Sequence, residues 1–441
     1  MELTAVQPNY ENYPDYPSLR IRPQPSSIED LGVPKGFLAE LALKHAFFLD
    51  VFGLKNLADR MKVNLAIITE LSENLIRDKL LEARGAESCQ DKSSFMGLGN
   101  RYALTAEGKR RGAQALEYDS YVGPVPVSLE DYWEQVSAQS IQHAEFEMYH
   151  LEKAFEGLVV SPSLLEQLGP ALMGGKSLFL YGPTGNGKTS IALRVGKIWG
   201  DAVFIPYSLY VEGHVIPVFD VITHHPIEGW LSQNGSGTGD RRWILCHRPC
   251  VVVGGELGLS MLDLAYDPKL KFYGAPLQLK ANNGIFVLDD FGRQQVSTQL
   301  LLNRWIVPME NRQDFLYLCT GQKFAIPYDQ LLIFATNLEP GALVDPAFFR
   351  RIRAKVKIKG PERGQYKEIF KLICKKFQLE YNDAPVEHLL VKYYDNDNRE
   401  LSACHPRDLV EQMLDFCRFN KLPPVLDQES LDRVCQVYFA E

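Results

Sequence analysis

A glycine-rich turn between two structured runs carries the clearest chemical signal in the sequence. The turn has the spacing G-x-x-x-x-G-K-T and leads from the apolar run 177–181 into the helix-like run 191–198. Glycines let backbone N–H groups close around phosphate oxygens, and the start of a helix favours an anion. The Lys188 ammonium could reach the β- and γ-phosphates of a nucleotide, and the Thr189 hydroxyl could bind Mg²⁺. The predicted nucleotide-binding residues are Gly182, Pro183, Thr184, Gly185, Asn186, Gly187, Lys188, Thr189 and Ser190.

Paired carboxylates follow a second apolar run, Gly284–Leu288. Such a run predicts a buried strand, and ligands of open α/β sheets bind beyond the carboxyl ends of the strands. Asp289 would help to hold Mg²⁺, and Asp290 would polarise the water that attacks the γ-phosphate. The alternative is that the two acids only cap the end of a strand. The phosphate-binding motif upstream favours the metal and catalytic roles, because both motifs serve the same reaction.

Polar and basic residues further along the chain could complete this site. Asn337 follows the apolar run 331–336 and could bind the γ-phosphate or place the attacking water. Arg350, Arg351 and Arg353 crowd one short stretch, so they cannot all reach the nucleotide of their own chain. One or two of them could stabilise the transferring charge on a neighbouring subunit's γ-phosphate, as arginine fingers. The alternative is a basic helix end that faces solvent.

The composition is that of an ordinary globular chain with an ample core. Of 441 residues, 46% are hydrophobic and 23% are charged, and the formal net charge is −8. This charge argues against binding of polyanions by the protein as a whole. The length suggests roughly two to four domains. No apolar run reaches about 18 residues and no signal peptide is recognisable, so we expect no membrane span and a cytoplasmic location.

The eight cysteines are scattered along the chain, and the only cluster is the pair in the strand-like run Cys246-His-Arg-Pro-Cys250. A zinc site would need a second pair of ligands, which does not accompany this cluster. We therefore expect buried thiols in a reducing compartment.

Changes in composition divide the chain into five predicted segments. Residues 1–30 form a Pro- and Tyr-rich arm, either a tail or a strap packed on a neighbouring domain. Arg407 lies in the last segment, at the start of a helix with proline in its first turn, and would point at the nucleotide. The other segments are a small domain (31–117), a linker with a helix (118–149), a nucleotide-binding core (150–359) and an all-helical lid (360–441).

The small domain has an order of elements with a known counterpart. Apolar periodicity predicts helices over 34–50, 54–61 and 64–84, the last one ended by Gly85. A strand and a final helix follow from residue 101 onward. This order resembles winged-helix domains, in many of which the third helix enters the major groove of DNA.

Charge on the third predicted helix bears on the partner of this domain. Glu70, Glu73 and Glu82 accompany Arg77 and Lys79, a mixture that suits phosphate contact poorly. Docking of a protein client or adaptor is therefore the preferred interpretation, and DNA binding is the alternative.

Taken in order, the motifs resemble those of the AAA+ ATPases over roughly residues 145–441. The resemblance implies an α/β fold with a parallel P-loop sheet, a C-terminal all-helical lid, and ring-like, usually hexameric, homo-oligomers with ATP between subunits. Asn337 would correspond to sensor 1, Arg350 and Arg351 to the arginine-finger region, and Arg407 to sensor 2. The sequence also predicts a β-hairpin in 314–327, just before the strand that ends in Asn337. In this feature the chain resembles the clade that contains the MoxR-like ATPases with predicted chaperone activity.

These features predict an ATP hydrolase that uses Mg-ATP to remodel or assemble a protein partner, with residues 31–117 as adaptor. Asp290 departs from the family pattern, in which a glutamate usually occupies this position. The shorter acid would place the water less well, so slow hydrolysis is expected. Two alternatives stay open: a DNA-linked ATPase that uses the winged helix, and an ATP-gated assembly protein with slow turnover.

Overall fold

The computed structural model describes residues 22–86, 100–227, 239–339, 341 and 346–439. The first 21 residues of the predicted arm lie outside these ranges, and so does Asp345, which precedes the arginine stretch. The fold consists of an N-terminal unit, a central region and a C-terminal unit.

The N-terminal unit, residues 28–86 and 100–125, packs helices against a small sheet. Its elements are α1 (Lys35–Leu49), β1 (Val51–Gly53), α2 (Leu54–Met61), α3 (Leu65–Arg77), β2 (Leu81–Ala86), β3 (Asn100–Leu104) and α4 (Ala106–Tyr118). The strands pair antiparallel in the order β1-β3-β2. Apolar side chains at helical spacing, including Leu41, Leu57 and Ile68, are buried between these elements. The order of elements is compatible with the winged-helix interpretation, which remains a proposal.

The third helix is shorter than the predicted span 64–84. It ends at Arg77, and Lys79 then adopts φ +60°, a left-handed conformation that ends helices. Leu81 begins β2, where its side chain is buried in the sheet. Gly85, predicted to end the helix, lies within β2 instead. The prediction was wrong here because the apolar residues that continue a helical period also serve a buried strand.

The linker leads from the N-terminal unit to the central sheet through short elements. They are β4 (Val127–Ser128), α5 (Leu129–Ala138), α6 (Met148–Ala154) and α7 (Pro162–Leu172). The Ser128 hydroxyl accepts a hydrogen bond from Asp131 N at 3.0 Å and so caps α5, a helix within the predicted linker.

A five-stranded parallel sheet with the order β10-β13-β16-β5-β17 forms the middle of the central region, residues 126–359. Its strands are β5 (Ser177–Tyr181), β10 (Cys250–Val253), β13 (Gly284–Leu288), β16 (Gln330–Thr336) and β17 (Ala354–Lys357). Strands β13 and β16 are buried along their full length, as near-continuous apolar runs of a parallel sheet should be. The helices of this region are α8 (Lys188–Val195), α9 (Leu277–Lys280), α10 (Thr298–Asn311) and α11 (Pro346–Phe349).

Smaller sheets flank the central one. Strands β7 and β8 form a hairpin whose turn residues Glu212 and Gly213 both have positive φ. Strands β14 and β15 form the hairpin predicted within 314–327, with Leu316 opposite Phe324. The ranges are β6 (Ala202–Pro206), β7 (Ser208–Val211), β8 (His214–Pro217), β9 (Trp243–His247), β11 (Ala265–Asp267), β12 (Phe272–Gly274), β14 (Gln313–Tyr317) and β15 (Lys323–Pro327).

The C-terminal unit, residues 360–439, is helical and has an apolar core made only of its own residues. Tyr366, Leu389 and Leu409 are among the fully buried members of this core. Its helices are α12 (Arg363–Lys376), α13 (Asp383–Leu390), α14 (His405–Asn420) and α15 (Gln428–Tyr438). A π-helical turn, Val391–Asp395, extends α13. The four helices confirm the secondary structure predicted for this part of the sequence.

The cysteine cluster lies in the core of the central region. Cys246 is fully buried on β9, and Cys250 is partly buried at the start of β10. Burial raises the pKa of Cys246 to about 12 and that of Cys250 to about 11. Within the described ranges, no group of three or more His, Cys, Asp and Glu side chains could together hold a metal ion, and no helix has the length and apolar character needed to cross a bilayer.

A buried arginine joins the N-terminal unit to the central region. Arg242 is 1% exposed and pairs with Asp240, the Oδ2 atom of which lies 2.8 Å from Nη2. Its Nη1 donates to Leu31 O at 2.8 Å and to Pro126 O at 3.3 Å. Val215 of β8 also contributes to the apolar core of the N-terminal unit. Polar contacts of Arg242 and apolar contacts of Val215 together therefore fix this unit against the central region.

Candidate active site

Three neighbouring strands of the central sheet end in the residues that the motifs single out. Strand β5 leads into the phosphate loop 182–187, β13 into Asp289, and β16 into Asn337. Because β16 lies between β13 and β5, the three strand ends face one edge of the sheet. This edge is where open α/β sheets bind ligands.

Two of the predicted metal ligands are in direct contact across this edge. Thr189 Oγ1 lies 2.9 Å from Asp289 Oδ1 and 2.8 Å from Asp289 Oδ2, so its hydroxyl can donate to either oxygen. A hydroxyl and a carboxylate are hard oxygen ligands of the kind that suits Mg²⁺. The donor set therefore fits the metal that the sequence predicts.

The phosphate loop depends on glycines in conformations that other residues rarely adopt. Gly182 has φ +143°, and a Cβ there would lie 2.0 Å from Ile358 O. Gly187 has φ +78° and precedes the first turn of α8. Because these positions lack a Cβ, the loop backbone can turn closely around an anion at the start of α8.

Lys188 is largely buried and bonded to its own loop. Its Nζ donates to Gly182 O and Pro183 O, each at 2.9 Å, and the side chain is only about 8% exposed. Burial lowers the pKa of Lys188, while Asp290 and Asp289 act in the opposite direction. The loop thus holds a cation beside two acids, ready to exchange carbonyl partners for phosphate oxygens.

The second acid and the predicted sensor asparagine have distinct settings. Asp290 is exposed and has φ +47°, a left-handed conformation that Asp tolerates better than most residues. Asn337 Oδ1 is buried, and no polar atom of the described residues bonds to it. Because a buried oxygen without a partner costs free energy, Asn337 is suited to receive a polar ligand group.

The arginine stretch points in several directions. Arg351 forms an ion pair with Glu310 at the end of α10. The Arg353 guanidinium lies beside Gly174, just before β5, where an added Cβ would be 2.9 Å from Nη1. Arg350 is exposed and makes no polar contact with another described residue. The three side chains therefore do not converge on the nucleotide site of their own chain.

Arg407 begins α14 close to the phosphate loop but is turned aside. Its guanidinium pairs with Asp408 Oδ1 at 3.1 Å and is more than half exposed. The neighbouring segment makes the contact instead: Ala403 N donates to Asn186 Oδ1 at 3.0 Å, and Ser402 Oγ to Thr184 O at 3.4 Å.

A glycine of the loop makes room for this contact. A Cβ at Gly185, where φ is +78°, would lie 2.5 Å from both Ser402 Oγ and Cys404 Sγ. The motif in the sequence indicated Asn186 but not the segment 402–404, because contact between positions more than 200 residues apart leaves no local pattern. Gly185 occupies a position of the motif G-x-x-x-x-G at which any residue is allowed. A glycine there is the signal in the sequence that another segment approaches the loop closely.

Comparison with known proteins gives one partial family match. A model for a domain of unknown function, DUF8689, matches residues 362–437, which is most of the C-terminal unit. No curated protein sequence matches the chain.

Solved structures of RuvB from Thermotoga maritima align with the chain at low similarity. One is titled the Holliday junction branch migration motor; it is 12% identical, covers 66% of this chain and 70% of its own, and has a TM-score of 0.36. Two variants of the same protein are 13% identical. They cover 70% and 64% of this chain and 68% and 71% of their own, with TM-scores of 0.34 and 0.38. Because these scores are low, the functional assignment depends on the geometry of the sheet edge.

Proposed function

We propose that this protein is an ATPase of the AAA+ type that binds Mg-ATP at the sheet edge described above. The contact between Thr189 Oγ1 and both Asp289 oxygens, at 2.9 and 2.8 Å, supports the proposal most directly. It brings together the two motifs whose chemistry depends on one metal ion, from positions 100 residues apart.

Each residue of the edge has a role in this proposal. Lys188 would bind the β- and γ-phosphates in place of the carbonyls that it contacts now. Thr189 and Asp289 would hold Mg²⁺, which supplies charge neutralisation when bound. Asp290 would take a proton from the attacking water, and the amide of Asn337 would orient the water or the γ-phosphate.

A second subunit would complete the site. Arg350 is exposed and Arg351 is held at the end of α10 by Glu310, so either guanidinium is placed to approach a neighbouring molecule. We propose a ring-like homo-oligomer in which one of them reaches the neighbour's γ-phosphate. The role of Arg407 would require its side chain to leave Asp408.

The N-terminal unit would serve as the adaptor for a protein client. Helix α3, which would be the DNA-reading helix of a winged-helix domain, exposes Glu70 and Glu73. Acidic side chains repel a phosphate backbone, so protein docking is favoured over DNA binding. Remodelling of the client would follow movement of the C-terminal unit, which contacts the phosphate loop through residues 402–404.

Substitution of Lys188 tests nucleotide binding. Lys188→Ala should weaken binding of a fluorescent ATP analogue by roughly a hundredfold or more, because a charge-assisted contact is lost. Lys197→Ala, an exposed lysine just beyond α8, is the matched control and should bind normally. Equal affinities of the two variants would exclude the phosphate loop as the site.

Substitution of Asp290 tests hydrolysis. Asp290→Asn should bind the analogue normally but release phosphate at a rate at least about a hundredfold below that of the unchanged protein. Turnover that is unaffected would assign the proton transfer to another group.

The short side chain of Asp290 also favours a second candidate function, that of an ATP-gated assembly protein with slow turnover. Its side chain is one methylene shorter than the usual glutamate, so the carboxylate reaches less far from the strand. Sedimentation with and without ATP, alongside phosphate release, separates the two functions. Assembly that depends on ATP at negligible turnover would favour the second.

A further inference from the structure

Gln294, which belongs to no recognised motif, lies behind the acidic turn 289–292. Its Nε2 lies 3.1 Å from Asp289 O and 3.3 Å from Asp290 O, and 3.4 Å from Gly254 O at the end of β10. Its Oε1 accepts a hydrogen bond from Gly292 N at 2.8 Å. The Gln294 amide therefore contacts the backbone of the acidic turn at residues 289, 290 and 292. It also links this turn to the end of β10.

The backbone that Gln294 contacts is in a conformation that needs support. Asp290 has φ +47°, which is disfavoured for a residue with a Cβ and persists only where the surroundings enforce it. On the opposite side, Phe291 N donates to Ala335 O at 2.8 Å and Thr336 Oγ1 donates to Phe291 O at 2.7 Å. The turn is thus held by β16 on one side and by Gln294 on the other.

The short side chain of Asp290 makes this support functionally important. An aspartate carboxylate has one rotatable bond fewer than a glutamate carboxylate, so its position follows the backbone more closely. Whatever fixes φ and ψ of residue 290 therefore also fixes the carboxylate relative to the attacking water.

We propose that Gln294 is a positioning residue that holds the Asp290 carboxylate in place for hydrolysis. The inference rests on the proposed ATPase function and acts through Asp290, because Gln294 itself touches only backbone atoms. It predicts that Gln294 governs the rate of turnover and leaves nucleotide affinity measured without Mg²⁺ unchanged, since its hydrogen bonds go to residues 254, 289, 290 and 292 and not to the phosphate loop.

Substitution by alanine provides the first test, with the neighbouring glutamine as control. Gln294→Ala should lower kcat for phosphate release by about ten- to a hundredfold, because small displacements of a catalytic group reduce rates by this order. Its Kd for an ATP analogue, measured without Mg²⁺, should stay at the wild-type value. Gln295→Ala should behave as wild type, since the Gln295 side chain is exposed and its bond to Gly255 O comes from the backbone.

Substitution by glutamate provides a second test that does not depend on the alanine variant folding. At pH 8 the Gln294→Glu carboxylate can accept from Gly292 N but cannot donate to the three carbonyls. Near pH 5 a growing fraction is protonated and regains one donor. The ratio of kcat for Gln294→Glu to kcat for wild type, both measured at the same pH, should therefore rise as the pH falls from about 8 to about 5.

Three results would overturn the inference. A kcat for Gln294→Ala within about twofold of that for Gln295→Ala would remove the positioning role. A raised Kd with unchanged kcat would assign Gln294 to binding, and a pH-independent kcat ratio for Gln294→Glu would exclude the donor contacts. Wild-type protein without ATPase activity would instead refute the proposed function, and the inference with it.

Discussion

The N-terminal unit shares its apolar core with the central region, whereas the C-terminal unit keeps a core of its own. Val215 of the central region belongs to the first core, and Arg242 adds a buried ion pair and two bonds to backbone carbonyls. On the other side, residues 402–404 contact the phosphate loop through hydrogen bonds from Ser402 and Ala403. We call these two contact regions the first and the second joint. The first joint consists of buried contacts, and the second lies at the phosphate loop, where a ligand can alter it.

This difference bears on how such a protein could couple a ligand to movement. A unit that shares a core with its neighbour cannot move without exposing apolar surface. A unit with a complete core of its own can move as a body, at the cost of a few hydrogen bonds. The C-terminal unit is thus the candidate moving part, and the N-terminal unit is a fixed platform.

Removal of Arg242, the buried arginine of the first joint, should produce the largest expected effect, a loss of stability. Arg242→Ala leaves the Asp240 carboxylate buried without its partner, which should lower the free energy of unfolding by about 3–5 kcal/mol. Urea unfolding followed by tryptophan fluorescence measures this loss, with Trp243 beside the site. Arg241→Ala removes a more exposed ion pair with Asp59 and should cost at most about 1 kcal/mol. Equal losses would mean that Arg242 is not a structural joint.

A methyl group at Gly185 should open the second joint. The φ of +78° and the 2.5 Å approach to Ser402 and Cys404 make Gly185→Ala strained, by about 1–3 kcal/mol. Hydrogen exchange should become faster at 401–404, while the buried helices of the C-terminal unit stay protected. Gly364→Ala, at the start of α12 with no atom within 4 Å of the new Cβ, is the control and should leave exchange at 401–404 unchanged.

Loss of the Asn186 side chain should have a smaller effect on the same joint. Asn186→Ala removes the acceptor for Ala403 N–H, a contribution of about 0.5–1.5 kcal/mol. Exchange of the Ala403 amide should become roughly three- to tenfold faster, because opening becomes less costly by that amount. Asn186→Asp keeps an acceptor oxygen and should restore the slow rate. Fast exchange in both variants would show that the oxygen does not hold the segment.

Binding of nucleotide should produce the smallest change in hydrogen exchange. The change should occur only where residues 402–404 contact the phosphate loop. A slowly hydrolysed ATP analogue with Mg²⁺ should alter exchange at 401–404 by about twofold or more, and leave residues 28–31 and 240–243 as they were. The Lys188→Ala variant should show no change at either place. A response at 240–243 in the unchanged protein would contradict the view of the N-terminal unit as a fixed platform.

Local patterns predicted much of this molecule because they arise from local physics. The phosphate loop, the strand that ends in Asp289 and the strand that ends in Asn337 each carry their signal within about ten residues. The hairpin around Gly321 and the four C-terminal helices were predictable for the same reason, from turn residues and apolar spacing.

What could not be predicted arises from contacts between distant parts of the chain. The end of α3 at Arg77 depends on pairing of β2 with β3, which competes with helical periodicity. The approach of residues 402–404 to Gly185, and of Gln294 to Gly254, joins segments whose own sequences give no sign of each other. The Arg407 guanidinium is turned aside by its ion pair with Asp408. From the sequence alone, this pair could not be preferred over contact with a phosphate.

The bonds from Lys188 to its own loop have a consequence for the heat of ligand binding. Phosphate oxygens would replace two carbonyls at Nζ, so the number of hydrogen bonds changes little. The anion would also raise the pKa of Lys188, which burial lowers. In alkaline solution, between the lowered pKa and the restored one, binding would therefore take up protons and affinity would fall as the pH rises. Calorimetric titrations there should give apparent enthalpies that vary with the ionisation heat of the buffer.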